Sequence, residues 1–292
     1  MYTEIARNQR KTILLMLLFV VIIGVLGWIA SGIYARPSIF YWVLMASSIY
    51  TIIQYYAASS LALAVNGARE VSKKDQPVLY RVVENLAITT GMPMPKVYVM
   101  EDAAINAFAT GRDPSRAAVC VTTGALAELN KTELESVMAH ELGHVQNYDI
   151  RVAIIVFGLV SVIGLLADIM LRMMWFSDRD NRNNSSPIFI VLGLIAAVLA
   201  PIVALLIQLA VSRSREYLAD GSSAMTTRNP EGLVSALEKI EQHGSRLKHQ
   251  NTSTAHLFFA NPLKAGGFAK LFSTHPPIED RIARLRAMET KL

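Results

Sequence analysis

The sequence predicts a mainly α-helical integral membrane protein in which four transmembrane helices carry a smaller α+β part. Of the 292 residues, 52% are hydrophobic and only 17% are charged, which is unusual for a soluble domain. The excess is concentrated in four apolar segments, each at least as long as the roughly 20 residues that span a bilayer core. These segments are Ile13–Ile33, Ile39–Val65, Val152–Phe176 and Ile188–Val211.

The apolar segments divide the chain into four parts. We expect an N-terminal transmembrane hairpin at 1–65, a first polar part at 66–151, a second hairpin at 152–211 and a second polar part at 212–292. A signal peptide is the alternative for the first segment, but its apolar run exceeds the usual core of about 7–15 residues and a second run follows at once. The last two segments could also be buried helices, or a hairpin that enters the bilayer without crossing it.

Basic residues cluster beside the apolar segments and predict the orientation of the chain. They are Arg7, Arg10 and Lys11 before the first segment, Arg69, Lys73 and Lys74 after the second, and Arg213 and Arg215 after the fourth. The positive-inside rule then places the N-terminus and both polar parts in the cytoplasm. We expect the membrane to be the cell inner membrane. The net charge of +5 is explained by faces beside anionic lipid, so we expect no nucleic-acid partner.

The sequence HELGH at residues 140–144 is the strongest chemical signal. Two histidines four residues apart lie on one face of a helix and can bind one Zn²⁺, while Glu141 is placed to accept a proton from a water molecule. The alternative is a helix with two surface histidines that bind no metal. Thr132 and Glu135 resemble a capping box, which predicts that the helix begins near Glu133.

A catalytic zinc site needs a third protein ligand and one open position. No glutamate occurs between Glu141 and Glu216, and Asp220 follows Glu216 by one helical turn. This pair suits a ligand carboxylate with a second carboxylate behind it that orients a ligand histidine. The alternative is a surface pair in a basic segment. The ligand hypothesis requires an even number of membrane crossings between His144 and Glu216.

Three short runs before this helix read as strands, at Lys96–Met100, Asn106–Thr110 and Ala117–Thr122. Turn residues separate the last two, and together the runs predict a small antiparallel sheet beside the metal-binding helix. The run from Ala107 to Thr110 has two interpretations. It is either an unpaired edge that an extended peptide joins as an added strand, or an ordinary hairpin strand.

With these motifs in place, nearly the whole chain resembles the HtpX family of bacterial membrane proteases, within the wider group that includes the CAAX prenyl-proteases. The segments that carry the resemblance are NAFA at 106–109, HELGH at 140–144, EYLAD at 216–220 and THPP at 274–277. It implies a cytoplasmic zincin-like metalloprotease domain that cleaves misfolded membrane proteins in quality control and cleaves itself once zinc is supplied. It also implies that Asn106 contacts substrate and that His275 and Arg281 lie near the transition state.

The sequence therefore predicts a zinc endopeptidase with one Zn²⁺ held by His140, His144 and Glu216. Its partners would be polypeptides, mainly membrane proteins, and the lipid bilayer. Two other classes compete with this hypothesis. A membrane chaperone or adaptor with a structural zinc site is disfavoured because Cys120 is the only cysteine and structural sites usually close with four protein ligands. A transporter is disfavoured because the apolar segments contain few ionisable groups.

Overall fold

The computed structural model describes residues 2–33, 36–159, 213–243, 247, 254–260 and 276–289. Two of the sequence predictions fall outside these residues. The fourth apolar segment and most of the third lie there, so four transmembrane helices and a complete second hairpin stay predictions. His275 lies there as well.

The N-terminal hairpin consists of helices α1 (Tyr2–Ile33) and α2 (Ser38–Val65). Both are long and apolar enough to cross a membrane, and only 28% of each apolar window is buried. The two helices pack closely, since a Cβ atom added to Gly27 would lie 2.7 Å from Cγ1 of Val43. The helix α1 extends further towards the N-terminus than the predicted span, and it therefore includes the polar residues Asn8 and Thr12.

A four-stranded sheet follows the hairpin, with the order β1-β2-β4-β3. Its strands are β1 (Arg69–Glu70), β2 (Lys96–Met100), β3 (Ala107–Thr110) and β4 (Ala118–Thr122). The pairs β1–β2 and β3–β4 are antiparallel, but β2 and β4 are parallel. The prediction of an antiparallel sheet was therefore wrong for its central pair, and the two-residue strand β1 was missed.

The parallel pair results from the crossover between β2 and β3. Residues 101–106 carry the chain past the position of β4, so that β3 forms the outer strand and β4 returns into the gap. Thr122 fixes this crossover, because its hydroxyl donates to the carbonyl of Ala104 at 2.6 Å and accepts from the N–H of Asn106 at 3.0 Å. Turn residues reveal where strands end, but they do not encode this order.

Helices cover the sheet and form the main core. They are α3 (Pro77–Thr90), α4 (Thr123–Glu128), α5 (Lys131–Gln146), α6 (149–159 within the described residues), α7 (Arg213–Thr227), α8 (Pro230–His243) and α9 (Ile278–Glu289). Leu79, Val119, Met138, Leu233 and Leu285 are all fully buried in this core. Residues from both polar parts of the sequence therefore contribute to one apolar interior.

The helix α5 begins two residues earlier than predicted. Its capping box is formed by Asn130 and Glu133 rather than by Thr132 and Glu135. The Asn130 side chain accepts hydrogen bonds from the N–H groups of Thr132 and Glu133, and Glu133 accepts from the N–H of Asn130 at 2.7 Å. Asparagine is an equally good capping residue, and Lys239 and Ser235 also bind the Glu133 carboxylate.

The chain runs directly from α5 into α6, which begins the third apolar segment. Tyr148 adopts a left-handed conformation with φ of 60°, and α6 begins immediately afterwards. Leu15 and Phe19 of α1 pack against Val152 and Ile155 of α6 in a separate apolar cluster. The end of the HELGH helix is therefore held against the first membrane helix.

Candidate metal centre

Three side chains from two helices converge on one point. His140 and His144 of α5 lie one turn apart, and Glu216 approaches from the first turn of α7. The Nε2 atoms of the histidines are 3.1 Å apart. The Glu216 carboxylate oxygens lie 3.7 Å from Nε2 of His140 and 3.5 Å from Nε2 of His144.

These separations fit a single metal ion. Ligand atoms bound tetrahedrally at about 2.0–2.1 Å are roughly 3.3 Å from one another, and the three pairs here bracket that value. Two imidazole nitrogens and one carboxylate oxygen form the donor set of a catalytic site, with a fourth position left for water or substrate. The structure thus brings together all three residues that the sequence predicts as ligands.

The helices α5 and α7 are packed tightly enough to hold this geometry. Gly143 faces α7, where an added Cβ would lie 3.4 Å from Cβ of Ser222 and 3.6 Å from Cα of Ala219. The hydroxyl of Ser223 donates to the carbonyl of Ser136 at 2.6 Å. A larger side chain at position 143 would push α7, and with it Glu216, away from the histidines.

Glu141 lies beside the two histidines and is 2% exposed. Its carboxylate accepts a hydrogen bond from the backbone of Ala109 in β3. Burial, reinforced by the negative charge of Glu216, raises the pKa of Glu141 to about 7. A carboxylate with such a pKa can accept a proton and return it near neutral pH.

His140 is fully buried and is held from behind by Asp220 and Arg281. Its Nδ1 atom lies 2.9 Å from Oδ1 of Asp220. Arg281 is 1% exposed and donates to both oxygens of the same carboxylate, at 2.9 Å and 2.7 Å. Burial lowers the pKa of His140 to about 4, so this imidazole is neutral and ready to bind a cation at neutral pH.

His144 is held by a different set of residues, which the sequence analysis missed. Its Nδ1 atom lies 3.0 Å from Oδ2 of Asp149, and the other oxygen of Asp149 accepts from Asn8 at 2.7 Å and from Arg215 at 3.2 Å. Burial would lower the pKa of His144, but the carboxylates of Asp149 and Glu216 outweigh it and raise the pKa to about 9. The nearest sequence signal was an aspartate five residues after the second histidine.

Two further predicted site residues, Arg281 and Asn106, lie close to the metal centre. Arg281 lies behind Asp220, and one of its Nη atoms is 3.4 Å from Nδ1 of His140. The Asn106 side chain is 1% exposed, donates to the carbonyl of Ala260 at 2.9 Å and accepts from the N–H of Ala260 at 3.1 Å. Asn106 therefore anchors a later segment of the chain beside the metal centre.

That later segment covers the first half of the edge strand β3. Phe258 forms an antiparallel bridge with Phe108, and the N–H of Phe259 donates to the carbonyl of Ala107 at 2.8 Å. The Phe259 ring packs edge to face against His140 at 4.8 Å. The strand β3 is thus both a hairpin partner of β4 and the edge of the sheet, with its first half already paired.

Comparison with known proteins agrees with this site. Residues 73–289 match peptidase family M48. A protease HtpX homologue of Tropheryma whipplei is 50% identical over 288 residues, which cover 99% of this chain and 98% of the relative. A protease HtpX homologue of Streptococcus pneumoniae is 42% identical over 299 residues, covering 99% and 100%.

A solved structure supports the fold as well. The crystal structure of S. mikatae Ste24p superposes with a TM-score of 0.51 at 18% sequence identity. The match covers 93% of this chain and 61% of Ste24p, so this chain spans about three fifths of that protein. Together with the His-His-Glu cluster and the two apolar helices, these matches show that the chain belongs to peptidase family M48 and is a membrane metalloprotease.

Proposed function

We propose that this protein is a zinc endopeptidase in which His140, His144 and Glu216 hold the metal. The observation that carries the proposal is the convergence of two imidazole nitrogens and one carboxylate within 3.1–3.7 Å. A donor set of this kind is typical of catalytic zinc. When bound, zinc would supply Lewis acidity to a water molecule and to the peptide carbonyl. Three protein ligands also disfavour the alternative of a closed structural site in a chaperone.

Glu141 acts as the general base and then as the general acid. It takes a proton from the attacking water, and it passes that proton to the leaving amine as the peptide bond breaks. Its burial supports this role, because a carboxylate with a pKa near 7 can perform both transfers. The hydrogen bond from Ala109 fixes the carboxylate next to β3, where an extended substrate would lie.

The surrounding residues position the proposed metal ligands and Glu141. Asp220 and Asp149 orient the two histidines through their Nδ1 atoms, and partners of this kind raise ligand basicity. Arg281 neutralises Asp220 and brings positive charge close to the site where an oxyanion would develop. Asn106 acts on substrate through the segment that it anchors beside β3. His275 stays a candidate for contact with the transition state by resemblance alone.

The substrates we propose are misfolded or damaged membrane proteins, cleaved in quality control at the cytoplasmic face of the inner membrane. Contact between α1 and α6, a few residues from His144, supports a site close to the bilayer surface. The basic residues beside the apolar segments support a cytoplasmic N-terminus. If residues 152–211 cross the membrane twice, the parts at 66–151 and 212–292 lie on the same side of the membrane and form one catalytic domain.

The test is the substitution Glu141→Gln in the full-length protein, purified in detergent with chelator and then supplied with zinc. The variant should bind one zinc per chain but digest casein, or a membrane-protein substrate, at least about 100-fold more slowly than the parent, because it lacks the base. Zinc content is measured by elemental analysis and cleavage by gel densitometry.

The matched control is Glu135→Gln, which changes the same functional group on the same helix away from the metal centre. We expect it to retain both zinc and activity. Cleavage by Glu141→Gln at the parental rate would contradict the assigned base. Proteolysis with no requirement for any metal would contradict the zinc mechanism as a whole.

A further inference from the structure

A cavity lies outside the metal centre, beside the sheet-facing end of α2. Its volume is about 360 Å³. The wall on α2 is formed by Tyr55, Tyr56, Ser59 and Ser60, and the opposite wall by β2, β4 and the loop that follows β3. None of the lining residues contributes to the proteolytic mechanism. We propose that this cavity binds a phosphate group, and that the headgroup of an anionic phospholipid supplies it.

Three basic side chains line the cavity, namely Lys96, Arg112 and Arg116. Two carboxylates flank them from outside the lining: Asp113 lies 3.2 Å from Arg116 and 3.6 Å from Arg112, and Glu70 lies 3.0 Å from Lys96. Among the residues that the structure describes, three positive charges thus face two negative ones, and the lining itself contains no acidic side chain. This surplus attracts an anion.

Neighbouring side chains hold Arg112 in place beside the cavity. Its guanidinium lies 4.6 Å above the ring of Tyr56 and 5.9 Å from the ring of Tyr55, and its side chain is only 20% exposed. Arg151 donates from Nε to the backbone carbonyl of Arg112. A planar guanidinium fixed by stacking pairs with two phosphate oxygens at once, and little conformational entropy is then lost on binding.

The position of the cavity favours a lipid as the source of the phosphate. Its α2 wall falls in the last turns of a helix that is apolar enough to span a membrane. Tyrosine side chains are typical of the level at which phospholipid headgroups lie. Leu63, Met94 and Ile154 add apolar surface to the same cavity, suited to the glycerol and upper acyl carbons, whereas free phosphate would leave this surface unused.

The cavity also adjoins the strand that borders the metal centre. The hydroxyl of Thr110, the last residue of β3, donates to the hydroxyl of Ser59 at 3.3 Å. A bound headgroup would therefore sit at the end of β3 and fix α2 against the sheet. The lipid would act as a structural ligand between the membrane hairpin and the catalytic part, and its binding does not depend on proteolysis.

The test measures binding of short-chain lipids to full-length Glu141→Gln protein in a non-ionic detergent. Native mass spectrometry compares dihexanoyl phosphatidylglycerol, dihexanoyl phosphatidylcholine and inorganic phosphate at equal concentrations. We expect one tightly bound phosphatidylglycerol per chain and at least about tenfold weaker binding of the other two probes. The double substitution Arg112→Gln/Arg116→Gln should weaken binding of phosphatidylglycerol by about tenfold or more.

The matched control is Lys74→Gln/Arg81→Gln, which removes the same charge from exposed positions outside the cavity and should leave binding unchanged. Arg116→Gln alone, at a side chain 60% exposed, keeps the test valid if the double variant does not fold, and it should weaken binding severalfold. Equal binding of the two lipids, or equal binding by the charge variants and their control, would refute the proposal. Displacement of the lipid by equimolar inorganic phosphate would overturn the lipid as the source.

Discussion

The two histidines of the HELGH motif look equivalent in the sequence, but the fold supports them in opposite ways. His140 is fully buried and is backed by Asp220 and Arg281, both from the C-terminal part of the chain. His144 is partly exposed and is backed by Asp149, which is itself held by a residue of the first membrane helix. One ligand is therefore tied to the catalytic core, and the other to the membrane hairpin.

This difference extends to the charge of each imidazole. Burial lowers the pKa of His140 to about 4, whereas neighbouring carboxylates raise that of His144 to about 9 although it is partly buried too. In the metal-free protein at neutral pH, His140 is neutral and His144 carries a proton. A metal ion must displace that proton, so metal binding is linked to pH mainly through His144.

The largest effect is expected from Asp220→Asn. This substitution removes the negative charge that neutralises buried Arg281, and leaving one partner of a buried pair uncompensated costs about 3–5 kcal/mol of stability. It also weakens the support of His140, which should lower zinc affinity by about 10–100-fold. Thermal unfolding and a competitive zinc titration measure the two effects.

Asp280→Asn, at an exposed position in the first turn of α9, is the control and should change neither quantity. Parental stability and parental zinc affinity in Asp220→Asn would show that the Asp220–Arg281 pair supports neither the fold nor the metal site.

Asp149→Asn should have a smaller effect on stability and a distinct effect on pH dependence. In the parent, zinc affinity should rise with pH until His144 has lost its proton near pH 9. Without the Asp149 charge the pKa of His144 falls, so this rise should end at a lower pH. The protonated His144 stabilises the metal-free parent below about pH 6.5, and that contribution is lost as pH rises towards 9. The contribution should be smaller in the variant, where Glu216 alone of the two named carboxylates still raises the pKa of His144.

Zinc titrations from pH 6 to 10 and unfolding of the metal-free protein test this prediction. Asp280→Asn should follow the parental curves throughout. If Asp149→Asn gave the same pH profile as the parent, the raised pKa of His144 could not be due to Asp149.

The smallest effect is expected from Asn8→Ala, because Asn8 contacts Asp149 and not a proposed metal ligand. The side chain of Asn8 donates to Asp149 at 2.7 Å and to the carbonyl of Asn147 at 2.8 Å, and it is fully buried. Its loss should reduce zinc affinity by about threefold to tenfold, less than for a group that touches a ligand directly. The cost in stability should be about 1–3 kcal/mol.

Thr12→Val is the matched control, because the Thr12 hydroxyl donates to the carbonyl of Asn8 within α1 and, in the described part of the chain, does not contact Asp149. It should keep parental zinc affinity. An unchanged affinity in Asn8→Ala would restrict the influence of the membrane helix to packing alone.

Local spacing predicted the three proposed ligands and Asp220 behind His140, but it missed Asp149 behind His144. His140, His144, Glu216 and Asp220 were found because helical periodicity places residues four apart on one face. Asp149 was missed because it follows Tyr148, whose backbone is left-handed. It therefore lies beyond the helical pattern of α5. Its role became visible only when the path of the chain after α5 was known.

Long-range contacts and strand order were beyond the sequence for a related reason. Asn8 reaches Asp149 across 141 positions, and nothing in a polar N-terminal lead identifies such a partner. The parallel pairing of β2 with β4 depends on which side of the sheet residues 101–106 cross. Composition and spacing set the type of each element, whereas packing against distant elements sets its neighbours.

The contact between Asn8 and Asp149 has a practical consequence for biochemical work. A fragment that starts after α2 would contain all three proposed zinc ligands and the proposed general base, yet it would leave one side of Asp149 without its amide partner. Such a fragment should hold its second histidine less firmly than the intact enzyme does. The membrane anchor of this protease is therefore expected to support the proposed metal centre as well as to hold the chain in the bilayer.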